Sequence, residues 1–187
     1  IGDNKNALIW IEKALKLNTE SHHGSEWIHV SILKKKLGLI TSDNILNLDF
    51  GGDEIPITKL NKQELQELVN DLTYQLSERN QFVKPKEAIV ARLYFDLGNV
   101  LALNLDLESA LKAYHLSKEY GNQSIILEKR MKYFQNLIDE NDDSGKQVSS
   151  DSTEDFKLFL QRNIITISLI VGLFLFLVFI VIKKLRK

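Results

Sequence analysis

Few side chains in this 187-residue sequence stand at spacings that support chemistry. Residues 49–51 (Asp-Phe-Gly) match the metal-binding triplet of protein kinases, but the glycine-rich loop and the catalytic-loop motif of those enzymes are missing. We therefore interpret the triplet as a turn. His22 and His23, with His29 nearby, could suggest a metal site, yet they belong to no recognised metal-ligand motif. The pattern predicts surface or capping histidines and no metal-binding residue.

The sequence contains no cysteine, which excludes a thiolate nucleophile, a disulfide framework and a Cys-ligated zinc or iron–sulfur site. No serine, histidine and acid arrangement is recognisable either. With no catalytic residue and no cofactor to name, we predict that the protein is not an enzyme. The alternative is an enzyme, or an accessory subunit, that uses residues 38–60 as its site.

The charges are distributed unevenly. The chain has 24 basic and 25 acidic residues, but four of the basic ones lie among the last five residues: Lys183, Lys184, Arg186 and Lys187. The remainder is mildly acidic, whereas a nucleic-acid-binding protein needs a basic stripe on its folded surface. Nucleic acid is therefore not an expected partner.

Residues 164–182 contain no charged side chain over 19 positions. As a helix this segment would be roughly 28 Å long, which matches the hydrocarbon thickness of a bilayer. The segment therefore predicts a transmembrane helix. Residues 156–187 would form the juxtamembrane and transmembrane region, and the lipid bilayer would be a partner of the chain. Ser168 and Gly172, four residues apart, would allow close approach of two such helices and hence a homo-oligomer; the alternative is that they reflect the ordinary composition of a membrane helix.

The basic tail predicts the orientation of this helix. Lys and Arg are retained on the cytoplasmic side, so the tail is expected in the cytoplasm and the body across the membrane. That arrangement requires an export signal upstream of Ile1, and we therefore expect that the start of the chain is truncated. The alternative is a tail-anchored protein whose body stays in the cytosol.

Residues 139–155 include seven acidic residues and a single apolar one. A segment of this composition cannot bury enough apolar area to offset its ordering entropy, so we predict a flexible acidic linker between body and membrane.

The body, residues 1–138, shows helical periodicity. In residues 61–82, for example, the apolar side chains recur on one helix face, and Asn61 followed by Glu64 predicts an N-terminal cap. The same pattern predicts helices over 4–17, 26–37, 61–82, 87–103, 107–120 and 123–139. Residues 38–60, with two adjacent glycines and a proline, are expected to form a long structured loop and a binding element. The fold class is therefore all-α.

Internal repetition refines this prediction. Ala7 aligns with Ala110 and Ile11 with Tyr114 at an offset of 103 residues, which is close to three periods of about 34. Ala14 then aligns with Ser117. A helical hairpin that is closely packed needs small residues where its two helices touch and large ones beside them. The residues expected to pack the repeats are Ala7, Ile11, Ala14, Tyr94, Leu97, Gly98, Leu101, Ala110 and Tyr114.

On these residues the chain resembles a tetratricopeptide repeat (TPR) protein. Residues 2–19 look like the second helix of a truncated repeat, residues 87–121 like a complete repeat and residues 123–139 like the solvating cap helix. Trp27 and Val30 fit the first helix of a middle repeat, which the 38–60 insertion interrupts. The resemblance implies a solenoid of helical hairpins.

A narrower resemblance concerns residues 25–39 and 81–99, which are similar to stretches of poorly characterised bacterial envelope repeat proteins. This resemblance implies a single-pass protein of the inner (cytoplasmic) membrane with a periplasmic repeat domain and a cytoplasmic tail.

The expected partner-binding residues lie on the first helix of the complete repeat. Arg92, Phe95, Asn99 and Ala102 recur at helical spacing on a face distinct from the packing face, where the Phe95 ring is expected to be exposed. The alternative is that these residues contact only the neighbouring hairpin. TPR proteins that clamp a terminal carboxylate usually carry Lys and then Asn four residues later; here Phe95 replaces the Lys. We therefore expect a membrane-anchored scaffold that binds an extended segment of a partner protein or peptide on its concave surface.

Overall fold

A computed structural model describes residues 2–18 and 24–143 of the chain, and these residues form six α-helices. The helices are α1 (Asn4–Leu17), α2 (Glu26–Lys36), α3 (Lys62–Asn80), α4 (Ala88–Leu103), α5 (Leu107–Glu119) and α6 (Ile125–Asp143). Within the described ranges there is no β-strand. The predicted all-α class is confirmed, and each predicted helix is present.

Helix starts follow local capping chemistry. At the start of α3 the Asn61 side chain accepts a hydrogen bond from the Glu64 N–H (3.0 Å), and the Glu64 carboxylate accepts one from the Asn61 N–H (2.7 Å). Two further helices begin after an aspartate whose carboxylate accepts a backbone N–H, Asp3 before α1 and Asp106 before α5. These caps satisfy N–H groups that lack a partner within the helix. The predicted cap at Asn61 is confirmed.

The long structured loop predicted over residues 38–60 is also present. Ile45, Leu46 and Phe50 are buried in the main hydrophobic core. The Ile57 N–H donates to the Phe50 carbonyl (3.1 Å), which closes the segment on itself, and Gly51 takes a φ of 68° there. The positive φ favours glycine at this position.

Consecutive helices pack against one another from α1 to α5. The main core joins α2, the loop, α3, α4 and α5, whereas α1 is attached to α2 through a smaller cluster made by Leu8, Val30 and Leu33. A hydrogen bond also joins α2 to α3, because the Trp27 indole N–H donates to the Asp71 carboxylate at 2.7 Å.

Contacts divide the chain into two units at Ile138, and the first unit, residues 1–138, contains α1 to α5 and most of α6. Helix α6 continues to Asp143, so the first five residues of the predicted 139–155 linker are helical. The last turns of α6 do not pack against the core, because residues 139–141 are exposed. The rest of the linker, the predicted span at 164–182, the basic tail, and His22 and His23 lie outside the described residues. Among the helices that are described, none combines the length and the apolar character needed to cross a bilayer.

A fragment of residues 1–143 is expected to fold without the remainder of the chain. The last buried side chains of α6 are Phe134 and Leu137, so this fragment keeps the whole described core. We expect a helical circular dichroism spectrum and a single cooperative thermal transition. A fragment that ends at residue 132 lacks both side chains and should unfold at a clearly lower temperature. A β-rich or non-cooperative 1–143 fragment would contradict the fold.

Candidate functional site

The four residues predicted to line a partner-binding face of α4 are mostly buried. Phe95 is 5% exposed, Asn99 and Ala102 are fully buried, and Arg92 is half-buried. The expectation of an open aromatic surface at Phe95 is therefore wrong. The physical reason is that a side chain from α6 and part of the 38–60 loop lie over this side of α4. Partner binding by these four residues stays a prediction.

The covering side chain is Arg130 of α6, which is fully buried. Its guanidinium donates to the backbone carbonyls of Phe50 (2.7 Å) and Gly51 (3.0 Å). It also donates to the carbonyl of Asp53 (2.9 Å) and to the Asn99 side-chain oxygen (2.5 Å). A single planar cation with several donors thus joins the loop, α4 and α6.

Aromatic rings complete this arrangement. The Phe95 ring centroid lies 5.4 Å from the guanidinium carbons of both Arg92 and Arg130. The Tyr114 hydroxyl donates to the Asn99 side-chain oxygen at 2.8 Å. We call this group the Arg130 cluster: Arg92, Phe95, Asp96, Asn99, Tyr114 and Arg130. The structure thus brings three of the four predicted partner-binding residues together, but in the interior.

Asp96 and Arg130 are cluster members that sequence reasoning missed. Asp96 is fully buried, and Arg92, one helical turn earlier, approaches its carboxylate at 2.9 Å. The signal available for Asp96 was an acidic residue inside an otherwise strongly apolar helix. No local pattern marks Arg130, because its partners in the loop lie up to 80 residues away.

Burial raises the pKa of Asp96 to about 6, and the nearby Arg92 guanidinium only partly opposes this effect. A carboxyl whose pKa is raised in the folded state favours folding in its protonated form. Its contribution to stability is therefore complete below the unfolded pKa near 4 and is lost as the pH rises to about 6.

We accordingly expect the wild-type chain to lose about 2 kcal/mol of unfolding free energy relative to Asp96→Asn between pH 4 and pH 6. Urea denaturation of both proteins across this range measures the difference. Because other acids are shared by the two proteins, their titration cancels in the comparison. A difference that does not vary with pH would contradict the assignment.

The predicted repeat-packing residues of α4 and α5 lie in the interior or against it. Ala110 and Tyr114 are fully buried, and a Cβ added to Gly98 would lie 2.4 Å from the Tyr114 ring. Tyr94 and Leu97 are buried as well, and Leu101 is half-buried against the main core. The helices therefore touch at Gly98, and its direct neighbour is the Tyr114 ring.

On α1 the predicted packing residues divide into two groups. Ala7 and Ile11 are half-buried against the cluster that attaches α1 to α2. Ala14 is exposed instead and lines a groove. The groove has a volume of about 510 Å³, within the range of binding sites for small ligands. Its apolar lining consists of Ile11, Ala14, Tyr74, Phe82 and Val83.

The groove also carries charged and polar side chains, among them Glu26, His29, Gln75 and Arg79. The Arg79 guanidinium donates to the Gln75 side-chain oxygen at 3.2 Å, and burial lowers the pKa of Arg79. His29 lies 3.6 Å from the Glu26 carboxylate. Both signs of charge are therefore present beside apolar side chains, a mixed lining that is typical of ligand-binding clefts.

The remaining motifs have local explanations. The Asp49 carboxylate accepts a hydrogen bond from the Gly51 N–H at 3.0 Å, so residues 49–51 form a turn, as predicted. His29 lies on α2 beside Glu26. In the described part of the chain no group of three or more metal-ligating side chains is assembled.

The residues that carry the TPR resemblance lie in the α4–α5 hairpin and in α1, within an all-α arrangement of six helices. Hairpin packing at Gly98 agrees with that resemblance without identifying a family. Comparison of the chain with known protein families, with curated proteins and with solved structures finds no match.

Proposed function

We propose that this chain is a membrane-anchored, TPR-like scaffold that binds a segment of a partner protein in the groove between α1, α2 and α3. The groove carries the proposal, because exposed apolar side chains, Ala14 and Phe82, line it together with charged ones. It replaces the covered face of α4 as the binding surface.

The repeat assignment is supported by the order of packing and by one close approach. Each helix from α1 to α5 packs on its neighbour in sequence, which is how helical hairpins stack in a solenoid. Gly98 meets Tyr114 where the two helices of the complete repeat touch.

The membrane anchor is supported by the uncharged segment at 164–182 and by the cations that follow it. The positive-inside rule favours a cytoplasmic tail and a helical domain on the other side of the membrane. The groove would then recruit its partner to the bilayer surface.

Exposed Phe82 provides a direct test, since 81% of its surface is accessible at the edge of the groove. A photo-crosslinking phenylalanine at position 82, in cells that naturally produce the protein, should capture one defined partner. Ala14→Arg should abolish the adduct, because the long cationic side chain would project into the groove from an exposed position.

The same probe at Ile125 is the matched control, because this residue is 77% exposed on α6 and does not line the groove. Ala14→Arg should leave the unfolding temperature unchanged. Identical adducts from positions 82 and 125, or an adduct that survives Ala14→Arg, would contradict the proposal.

An enzymatic role for residues 38–60 would require a perturbed titratable group open to solvent beside that loop. Asp96 has a raised pKa but is fully buried. Asp96 therefore does not provide such a group.

A further inference from the structure

The outer face of α1 combines exposed apolar side chains with lysines. Trp10 is 67% exposed, Leu17 89% and Ile9 42%. These residues lie opposite the side of α1 that packs on α2, so attachment of α1 does not use them. The outer face consists of Lys5, Ile9, Trp10, Lys13, Lys16 and Leu17, all of them exposed.

The charge on this face is of one sign. The only acidic residue within α1 is Glu12, whose carboxylate is 3.0 Å from the Lys34 ammonium of α2. Asp3 precedes the helix and accepts hydrogen bonds from Asn6. The three lysines of the outer face therefore form a positive stripe beside three exposed apolar side chains, and among the described residues Asp3 offsets part of the charge of Lys5 at one end.

The Trp10 side chain is exposed beside a lysine, an arrangement that fits the interface between lipid headgroups and acyl chains. The Lys13 ammonium lies 4.7 Å from the centroid of the Trp10 ring, so a cation and an amphipathic ring share one spot on the surface. Tryptophan concentrates at the headgroup level of bilayers, and lysine keeps its ammonium in water while its stem lies along apolar surface.

From these observations we infer that the outer face of α1 binds an anionic phospholipid surface. A basic face with Trp and aliphatic residues is typical of helices that lie in the membrane interface. The inference rests on the proposed membrane anchorage, which would keep a bilayer within reach. A nucleic acid would use the lysines but not the exposed Leu17 and Ile9.

The test uses the full chain in lipid nanodiscs that carry brominated acyl chains, which quench tryptophan on contact. In discs containing phosphatidylglycerol, Trp10 emission should shift to the blue and be quenched; in discs of phosphatidylcholine alone it should not. A Trp10→Phe chain reports the quenching that belongs to Trp27. Incorporation of the chain into the discs tests the anchor separately from α1.

Replacing Lys5, Lys13 and Lys16 by Gln should shift the binding equilibrium by about a hundredfold toward release, since each lysine near an anionic surface contributes about fivefold. The matched control replaces three exposed lysines of α5 and α6, Lys112, Lys129 and Lys132, by Gln and should bind like the wild type. Quenching that ignores headgroup charge, equal loss in both triple variants, or Trp10 protection that depends on protein concentration in neutral discs would overturn the inference.

Discussion

Gly98→Leu is expected to cost about 3 kcal/mol or more of unfolding free energy, the upper end of overpacking effects. A Cβ at this position would already lie 2.4 Å from the Tyr114 ring. That ring is fully buried, and its hydroxyl is bonded to Asn99, so it cannot move aside freely. Urea denaturation of the 1–143 fragment measures the loss.

Two comparisons isolate the steric cause. Lys112→Leu adds the same side chain at an exposed position of α5 and should be nearly neutral. Gly98→Ala should also destabilise, although alanine is the better helix former by about 1 kcal/mol. Its cost should shrink in a Tyr114→Leu background, where the ring is absent. Equal stability of the Gly98→Leu and Lys112→Leu proteins would show that the hairpin is packed differently.

Arg130→Met should cost about 3–5 kcal/mol, because four acceptors lose the hydrogen bond that the guanidinium donates, and two of these bonds are buried. The affected acceptors are the carbonyls of Phe50, Gly51 and Asp53 and the side-chain oxygen of Asn99. Arg130→Lys should recover little of this, since an ammonium cannot reproduce the planar fork.

The loop supplies a second measurement. Because Arg130 holds the Phe50 carbonyl, to which the Ile57 N–H donates, amide exchange at Ile57 should accelerate in Arg130→Met. Lys129→Met changes the neighbouring exposed position of α6 and should affect neither stability nor exchange. Unchanged exchange at Ile57 in Arg130→Met would show that the cluster does not hold the loop.

The helices were predictable because their signals are local. Apolar side chains three and four residues apart, the Asn61–Glu64 cap and the small residue at Gly98 each depend on neighbours within one or two turns. The same local reasoning predicts the membrane span at 164–182, which stays a prediction. Only the end of α6 was misplaced by more than two residues, since polar residues continue that helix to Asp143.

Burial of the second face of α4 was harder to predict. Helix α4 is apolar around most of its circumference, and a helix of that kind is usually enclosed on several sides. The periodicity of Arg92, Phe95 and Asn99 placed them on a different face of α4 from the packing residues. It could not show which segment of the chain covers that face. Their burial depends on which other segment covers them.

The sequence alone therefore predicted the helix positions, the Asn61 cap, the loop boundaries and the small residue in the hairpin, because the interactions that specify them are short-range. The covering of α4 by Arg130, the raised pKa of Asp96 and the groove beside Phe82 were decided by tertiary contacts. These contacts join segments as far apart as Phe50 and Arg130, and no periodic pattern along the chain encodes such a pairing. They arise only when the helices and the loop pack together and buried polar groups must find partners.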